Sequence, residues 1–506
     1  MPQVALQTEK PTGSQRGIEQ HVRWTLLILS AATAALLAAH AGVSLWARHE
    51  FTQAESVVAS HSNSLAEGYG IYHKLDHYPY TVSAYMPCFY LLQAGLHLLG
   101  LPIFQAGRLI SILAFLGIAV LCWRILDLLT ADRYVTWTGT LLVAGAADLN
   151  FWATVGQVDM LGLFFSIAAL YAYLRYRARR RPLHLVWAGC FVVLAICTKQ
   201  TMLAAGGTIL VLLALHDRRR AVWFALCTGA ISATLVLWLN HLTAGGFLDN
   251  TVWANINPFS LAKLFQHLQY LLAAAAGLIV LAAVGAGSAL RRAADPLYVY
   301  LAAAAGVLLA TGSKIGSDLN YEIETLVALG LCAGWSLHRL HFFPEYFRGS
   351  RGAVTLLHAP VLLQVALSLV ISSRILLTRL AVEPIQRWEC SQLQPYLAPE
   401  RGPVISVELD PVIQARHRLD LEPLIYTLLA KAGRIDPGPL RRDLSNKKFS
   451  AVILYEDVFQ SRSGLPNPEV PSLPDADLAV IRRSYRLVRH IPGPVLDGAY
   501  LYQPLP

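Results

Sequence analysis

Charge is what this sequence has least of. Only 14% of its 506 residues are Asp, Glu, Lys or Arg, against about 25% in an average soluble domain. With 55% hydrophobic residues and a mean hydropathy of +0.46, an ordinary water-soluble enzyme is excluded. Lys and Arg are missing altogether from runs such as Ala221–Leu239 and Leu297–Thr311. Cysteine is sparse too. Six of the seven lie in or beside apolar segments, and only Cys390 falls in the polar C-terminal tail. That tail therefore has no internal disulfide, and the spacing of the seven matches no metal-ligand pattern. An internal repeat of the kind that marks many transporters is also missing.

The cations that are present gather in clusters: Arg175, Arg177, Arg179, Arg180 and Arg181, then Arg218, Arg219 and Arg220, then Arg291 and Arg292, then Arg339, Arg348 and Arg351. Apolar stretches separate them. This is the pattern of a polytopic membrane protein whose cytoplasmic loops are basic. The net charge of +9 follows from those loops, and scattered arginines at membrane edges are no footprint for nucleic acid.

Trp24–Ala47 follows Lys10, Arg16 and Arg23 and is too long for a cleavable signal core, so it reads as an uncleaved anchor with its N-terminus inside. Ten further spans are expected near 105–128, 134–151, 160–174, 184–198, 201–215, 221–241, 268–290, 296–312, 321–338 and 353–375. Ala84–Gly100 is ambiguous: it is barely long enough, holds Gln93 and His97, and has Pro87 near its start. Parity decides. Laid along the outer surface, it leaves eighteen loop Lys and Arg inside. Six remain outside before the tail: Arg48, Lys74, Arg108, Lys199, Lys263 and Lys314. The expected fold is thus an α-helical polytopic membrane protein with eleven transmembrane helices and outer-face amphipathic helices. It divides into a cytoplasmic segment 1–23, a transmembrane body 24–375 with an outer loop 48–104, and a tail 376–506. The tail has strand-like runs at Val404–Glu408 and Ala451–Tyr455 and a helix-like run at Leu421–Ala432, so it is expected to be a small extracytoplasmic α/β domain.

The expected outer face collects the titratable groups. Phe51, Ala54, Val58 and Leu65 recur at helical spacing, predicting a surface helix that ends near Gly68. Glu55 then lies at the edge of its apolar stripe, where partial desolvation favours a general base. An ordinary rim glutamate reads the same way. Asp159 starts the fourth span and suits a helix N-terminus; Lys199 ends the fifth, where a snorkelling lysine is the plain alternative. Arg108 opens the second span and Lys314 ends the ninth. Together, acids and cations at one level resemble a site for an anionic headgroup. The first loop adds Tyr69, Tyr72, His73, His77, Tyr78, Tyr80 and Tyr85, with Asp76 and Lys74, as an interfacial belt or as stacking surface for a sugar ring.

These residues resemble the GT-C superfamily of membrane glycosyltransferases that use polyprenyl-phosphate sugars, over roughly residues 24–340. The resemblance is carried by Glu55 followed by Glu67-Gly68-Tyr69-Gly70-Ile71-Tyr72, by Tyr85-Met86-Pro87 and Arg108, by Asp159-Met160-Leu161-Gly162-Leu163-Phe164-Phe165, and by Thr198-Lys199-Gln200. Asn255-Ile256-Asn257-Pro258 and Gly316-Ser317-Asp318-Leu319-Asn320-Tyr321 are similar to outer-loop strings of bacterial relatives. The chain departs from the family in two places: many relatives have an Asp-Glu pair at Ala54-Glu55, and some have a lysine at Met86.

The resemblance implies inverting transfer of a sugar from lipid phosphate to a glycan, lipid or protein acceptor. It implies no metal and no other cofactor, and a bacterial inner membrane as the place. Glu55, alternatively Asp159, is the expected base. Lys199, Arg108 and Lys74 are expected to hold the phosphate, and Tyr72, His73, Tyr78, Asn257, Asn320 and Tyr321 the sugar or acceptor. The rival class is a transporter or flippase, which favours ionisable residues deep within spans.

Overall fold

The computed structural model describes residues 13–289, 294–342, 351–460, 472–493 and 498–506. Lys10, Arg291, Arg292 and Arg348 of the topology argument lie outside them. The helical body consists of α1 (Gly13–Trp46), α2 (Gln53–Ala66), α3 (Pro87–Leu98), α4 (Ile103–Thr130), α5 (Arg133–Ala144), α6 (Ala147–Ala153), α7 (Val158–Arg179), α8 (Pro182–Thr198), α9 (Ala204–His216), α10 (Arg218–Leu242), α11 (Gly246–Thr251), α12 (Leu261–Ala289), α13 (Pro296–Thr311), α14 (Ile323–Phe342) and α15 (Arg351–Leu393). Among the described residues, stretches within six helices, α1, α4, α7, α10, α12 and α15, are long and apolar enough to cross a membrane. The chain is an integral membrane protein. The apolar helices α8, α9 and α13 are shorter.

Helices stand at each expected span, with one break. The third is split between α5 and α6 at Gly145 and Ala146 rather than continuous. A Cβ on Gly145 would come 2.7 Å from the Leu141 carbonyl oxygen. In α12 the helix kinks at Ala275, and Gln364 of α15 takes up the freed backbone groups: its Oε1 accepts from the Gly277 N–H and its Nε2 donates to the Ala274 carbonyl. The ambiguous segment forms α3, whose 12 residues rise only about 18 Å, too short for a hydrocarbon core of about 30 Å.

The tail contains α16 (Asp410–Arg416), α17 (Pro423–Lys431), α18 (Gly438–Ser445) and α19 (Asp475–Ser484) around a four-stranded sheet of order β1-β2-β4-β3. Strand β1 (Val404–Ser406) pairs parallel to β2 (Ala451–Leu454); β4 (Ala499–Pro504) pairs antiparallel to β2 and to β3 (Tyr485–Ile491). The period-2 alternation of strands gives the sheet two buried faces. Ile405, Val452, Leu454 and Tyr502 point into a core with Tyr80, Val82 and Tyr426. Val404, Ala451, Ile453 and Leu501 point the other way, onto Ala59 of α2, Ile103 and Phe104 of α4, and Leu393. The tail therefore packs on the helical body through α2, the start of α4 and the end of α15.

That packing overturns the expected environment of α2. Phe51 precedes the helix, whose N-cap is Thr52. The helix is buried along Glu55–Asn63 rather than lying on a surface, save for the half-buried Val57. The tail reaches it directly: Ser60 Oγ accepts the Leu419 N–H, and Asn63 Nδ2 donates to the His417 carbonyl.

Candidate active site

Glu55 is saturated. Its Oε1 accepts from Arg108 Nε at 2.8 Å and the Gly156 N–H at 2.7 Å; its Oε2 accepts from Arg108 Nη2 at 2.8 Å and the Phe51 N–H at 2.9 Å. Arg108 is fully buried, caps the end of α1 by donating to the Ser44 and Ala47 carbonyls, and lies 4.1 Å from the Phe51 ring centroid. Glycine makes this approach possible. A Cβ on Gly156 would stand 3.1 Å from Glu55 Oε1, and one on Gly107 would stand 3.0 Å from the Gly156 Cα. A carboxylate with four donors, two of them from one bidentate arginine, has no lone pair left for an acceptor proton. The expected base and one expected phosphate ligand pair with each other instead.

Asp159 and Lys199 meet as a second pair. Asp159 sits in the first turn of α7 and Lys199 follows the last residue of α8, so the hairpin brings Lys199 Nζ to 2.5 Å from Asp159 Oδ1. Both side chains are 2% exposed. Burial works against the lysine charge, but Asp159, Tyr321 and Glu324 outweigh it and raise its pKa above the usual lysine value. Lys199 Nζ also lies 4.4 Å from the Tyr321 ring centroid. Asp159 Oδ2 is buried and accepts no hydrogen bond.

Tyr321 is where this pair reaches open space. A cavity of about 530 Å³ is lined by Tyr85, Gln157, Asn257, Lys263, Lys314 and Tyr321 from the helical body and by Glu422 from the tail. Asn320, Asp318 and His267 line it as well. The expected Asn257, Asn320 and Tyr321 therefore do converge, and Asn320 Oδ1 is buried without a partner. Burial, then Asp159 and then Tyr321, pushes the Tyr85 hydroxyl well above its ordinary pKa, which ties both tyrosines electrostatically to the acid behind them. Burial lifts the Glu422 carboxyl to about 8. His267 Nδ1 is 2.8 Å from Glu322 Oε1.

The remaining expected ligands are elsewhere. Lys74 pairs with Asp249 at 2.6 Å on an exposed surface. Tyr72 donates to the Tyr85 carbonyl, His73 Nε2 bonds the Pro79 carbonyl, and Tyr78 bonds Asp420. Tyr72 and His73 thus brace the first loop on itself, only Tyr78 ties it to the tail, and none of the three lines the cavity. The cavity cations absent from the expected phosphate ligands are Lys263 and Lys314, of which Lys314 alone figures among the cations of the expected headgroup site. Both already stood among the six outer cations, but only packing shows that α12 and the loop after α13 bring them to one wall. Lys314 Nζ lies 5.7 Å from the Tyr321 ring centroid. Between the lining residues of that wall, Ile256, Phe259, Leu261 and Phe265 are exposed.

Residues 84–312 match the family model described as glycosyltransferase family 87. The fold is similar to ArnT from Cupriavidus metallidurans bound to undecaprenyl phosphate, with a TM-score of 0.62, 17% identity, and coverage of 93% of this chain and 97% of that one. It is also similar to the Archaeoglobus fulgidus oligosaccharyltransferase in its apo form, with a TM-score of 0.57, 12% identity, and coverage of 90% and 72%. The archaeal oligosaccharyltransferase AglB from the same organism, in complex with an inhibitory peptide and a dolichol-phosphate, superposes with a TM-score of 0.51, 12% identity, and coverage of 83% and 69%. No curated protein sequence matches the chain.

Proposed function

We propose that this integral-membrane glycosyltransferase takes its sugar from a polyprenyl-phosphate donor and passes it, with inversion, to an acceptor in the cavity beneath the tail. The observation that carries the reading is the two-sided wall at residues 256–265 and 314–321. Lys263 and Lys314 offer paired cations to a phosphate, while Ile256, Phe259, Leu261 and Phe265 offer exposed apolar surface to its lipid tail. The neighbours' bound undecaprenyl phosphate and dolichol-phosphate support the same donor class.

The acceptor oxygen attacks the anomeric carbon as the carbon–oxygen bond to phosphate breaks, and the electron pair leaves with the phosphate. Lys263 and Lys314 neutralise that leaving charge, with Lys199 adding its field across Tyr321. No metal ion is assigned to this step. The acceptor proton goes to Asp159, whose Oδ2 is a buried carboxylate oxygen lacking a donor and whose Oδ1 is held by Lys199. Tyr321 and Tyr85 stand between that oxygen and the cavity and shift to admit the acceptor. Asn257, Asn320 and protonated Glu422 hold the sugar hydroxyls.

The membrane reading is an eleven-span body in a bacterial inner membrane, N-terminus cytoplasmic, with cavity and tail outside. It rests on the arginine clusters and on a helix α3 too short to span. The direct assay is incubation of the detergent-purified protein with sugar-labelled polyprenyl phosphate and a membrane extract that supplies the acceptor. Release of free polyprenyl phosphate is expected, and turnover of nucleotide sugars instead would overturn the donor assignment. Movement of the intact lipid across reconstituted vesicles without sugar transfer would favour the flippase.

A further inference from the structure

We propose that His49, Cys390 and Asp410 form a divalent-metal site that fastens the tail to the helical body. The three come from distant parts of the chain. His49 lies between α1 and α2, Cys390 near the end of α15, and Asp410 opens α16. His49 Nδ1 is 2.7 Å from Asp410 Oδ2, and Cys390 Sγ is 3.4 Å from each. A zinc ion about 2.0–2.3 Å from tetrahedral N, O and S donors sets those donors about 3.2–3.8 Å apart. The sulfur already has that spacing, and the His49–Asp410 pair opens by about 0.5 Å to admit the ion. Among the described residues, this is the group of His, Cys, Asp and Glu whose donor atoms gather closely enough for a metal.

A further acid adds buried negative charge beside this group. Glu50 is 7% exposed, its Oε2 is buried without a partner, and it lies within electrostatic reach of Asp410 and Cys390. Its carboxyl lies outside the close group of three donors, so the fourth position of the tetrahedron is left to water. Arg108 does not supply the missing positive charge. Arg108 donates to the His49 carbonyl, but its guanidinium is engaged by Glu55. A divalent cation balances the Asp410 carboxylate and the Cys390 thiolate.

Binding is redox-neutral. Cys390 loses its thiol proton to solvent, Asp410 binds as a carboxylate, and His49 offers the Nδ1 lone pair while its proton sits on Nε2. The mixed donor set suits zinc. The site is separate from the proposed chemistry. It bears on it through Val407 and Leu409, which precede Asp410 and line the cavity.

The test uses the full-length protein in detergent, stripped by a chelator and titrated with cobalt alone. One cobalt per chain is expected, with a thiolate-to-cobalt charge-transfer band, proton release, and displacement by zinc. Zinc should also raise the melting temperature of the wild type. Cys390→Ser should lose the band and bind at least about tenfold more weakly, and Asp410→Asn should bind more weakly as well. Cobalt bound without a thiolate band, equal binding by Cys390→Ser, or no binding at all would each overturn the proposal. If Cys390→Ser does not fold, the wild-type spectrum and zinc-dependent melting decide alone.

Discussion

Arg108 meets Glu55 edge-on, its Nε and Nη2 each 2.8 Å from one carboxylate oxygen, with both side chains excluded from solvent. Removing one partner of such a pair strands the other, which costs about 3–5 kcal/mol. Glu55→Gln and Arg108→Met should each lower the melting temperature in detergent, and the double variant should recover part of the loss. Normal melting of Glu55→Gln with transfer abolished would return Glu55 to the chemistry.

The cavity lysines should separate binding from rate. Lys314→Ala and Lys263→Ala each remove a charge-assisted phosphate contact worth about 1.5–3 kcal/mol. The apparent affinity for the lipid donor should fall by at least about tenfold, and melting should change little. Lys74→Ala, which loses only an exposed pair with Asp249, serves as the control and should bind donor normally. A donor affinity unchanged in both cavity variants would remove the phosphate from this wall.

Glu422 gives a pH signature. Its carboxyl titrates at about 8 in the folded chain, because burial opposes its charge, against 4.5 when exposed. Between these values the folded state holds a proton that the unfolded state has released. Stability is therefore complete below about pH 4.5, falls as pH rises, and levels off above about 8. The slope is at most about 1.4 kcal/mol per pH unit. Glu422→Gln should flatten melting temperature against pH in this window and melt higher than wild type at pH 8.5. Identical profiles would contradict the buried carboxyl.

Topology has its own reporter. The proposed topology has the tail outside, so a fusion after Pro506 to a reporter active only in the cytoplasm should be silent. A bright fusion would move the cavity to the other face.

Sequence signals succeeded where they are local. Hydropathy and charge runs located helices at every apolar segment. The hairpin between α7 and α8, whose acid and lysine sit 40 residues apart, brought Asp159 to Lys199 as adjacent helix ends must. The misses are long-range. Glu55 read as a partly desolvated general base because nothing within its own helix announces Arg108, 53 positions away, or the tail that covers α2. Lys263 and Lys314 were visible as outer cations, but their convergence depends on how α12 and α13 pack. Tyr72, His73 and Tyr78 suggested sugar stacking by composition, whereas backbone carbonyls and Asp420 take their polar groups. Cys390 looked inert because its partners are 341 and 20 residues distant.

The central claim is that sugar transfer occurs in the cavity beneath the tail, with Asp159 as the base. Its most direct test is the rate and anomeric product of transfer from sugar-labelled polyprenyl phosphate, compared between wild type and Asp159→Asn at matched melting temperature. The account predicts a product of inverted anomeric configuration from the wild type and a rate about 10²–10⁴ lower from the variant. A variant that transfers at the wild-type rate, or a product with retained configuration, would contradict it.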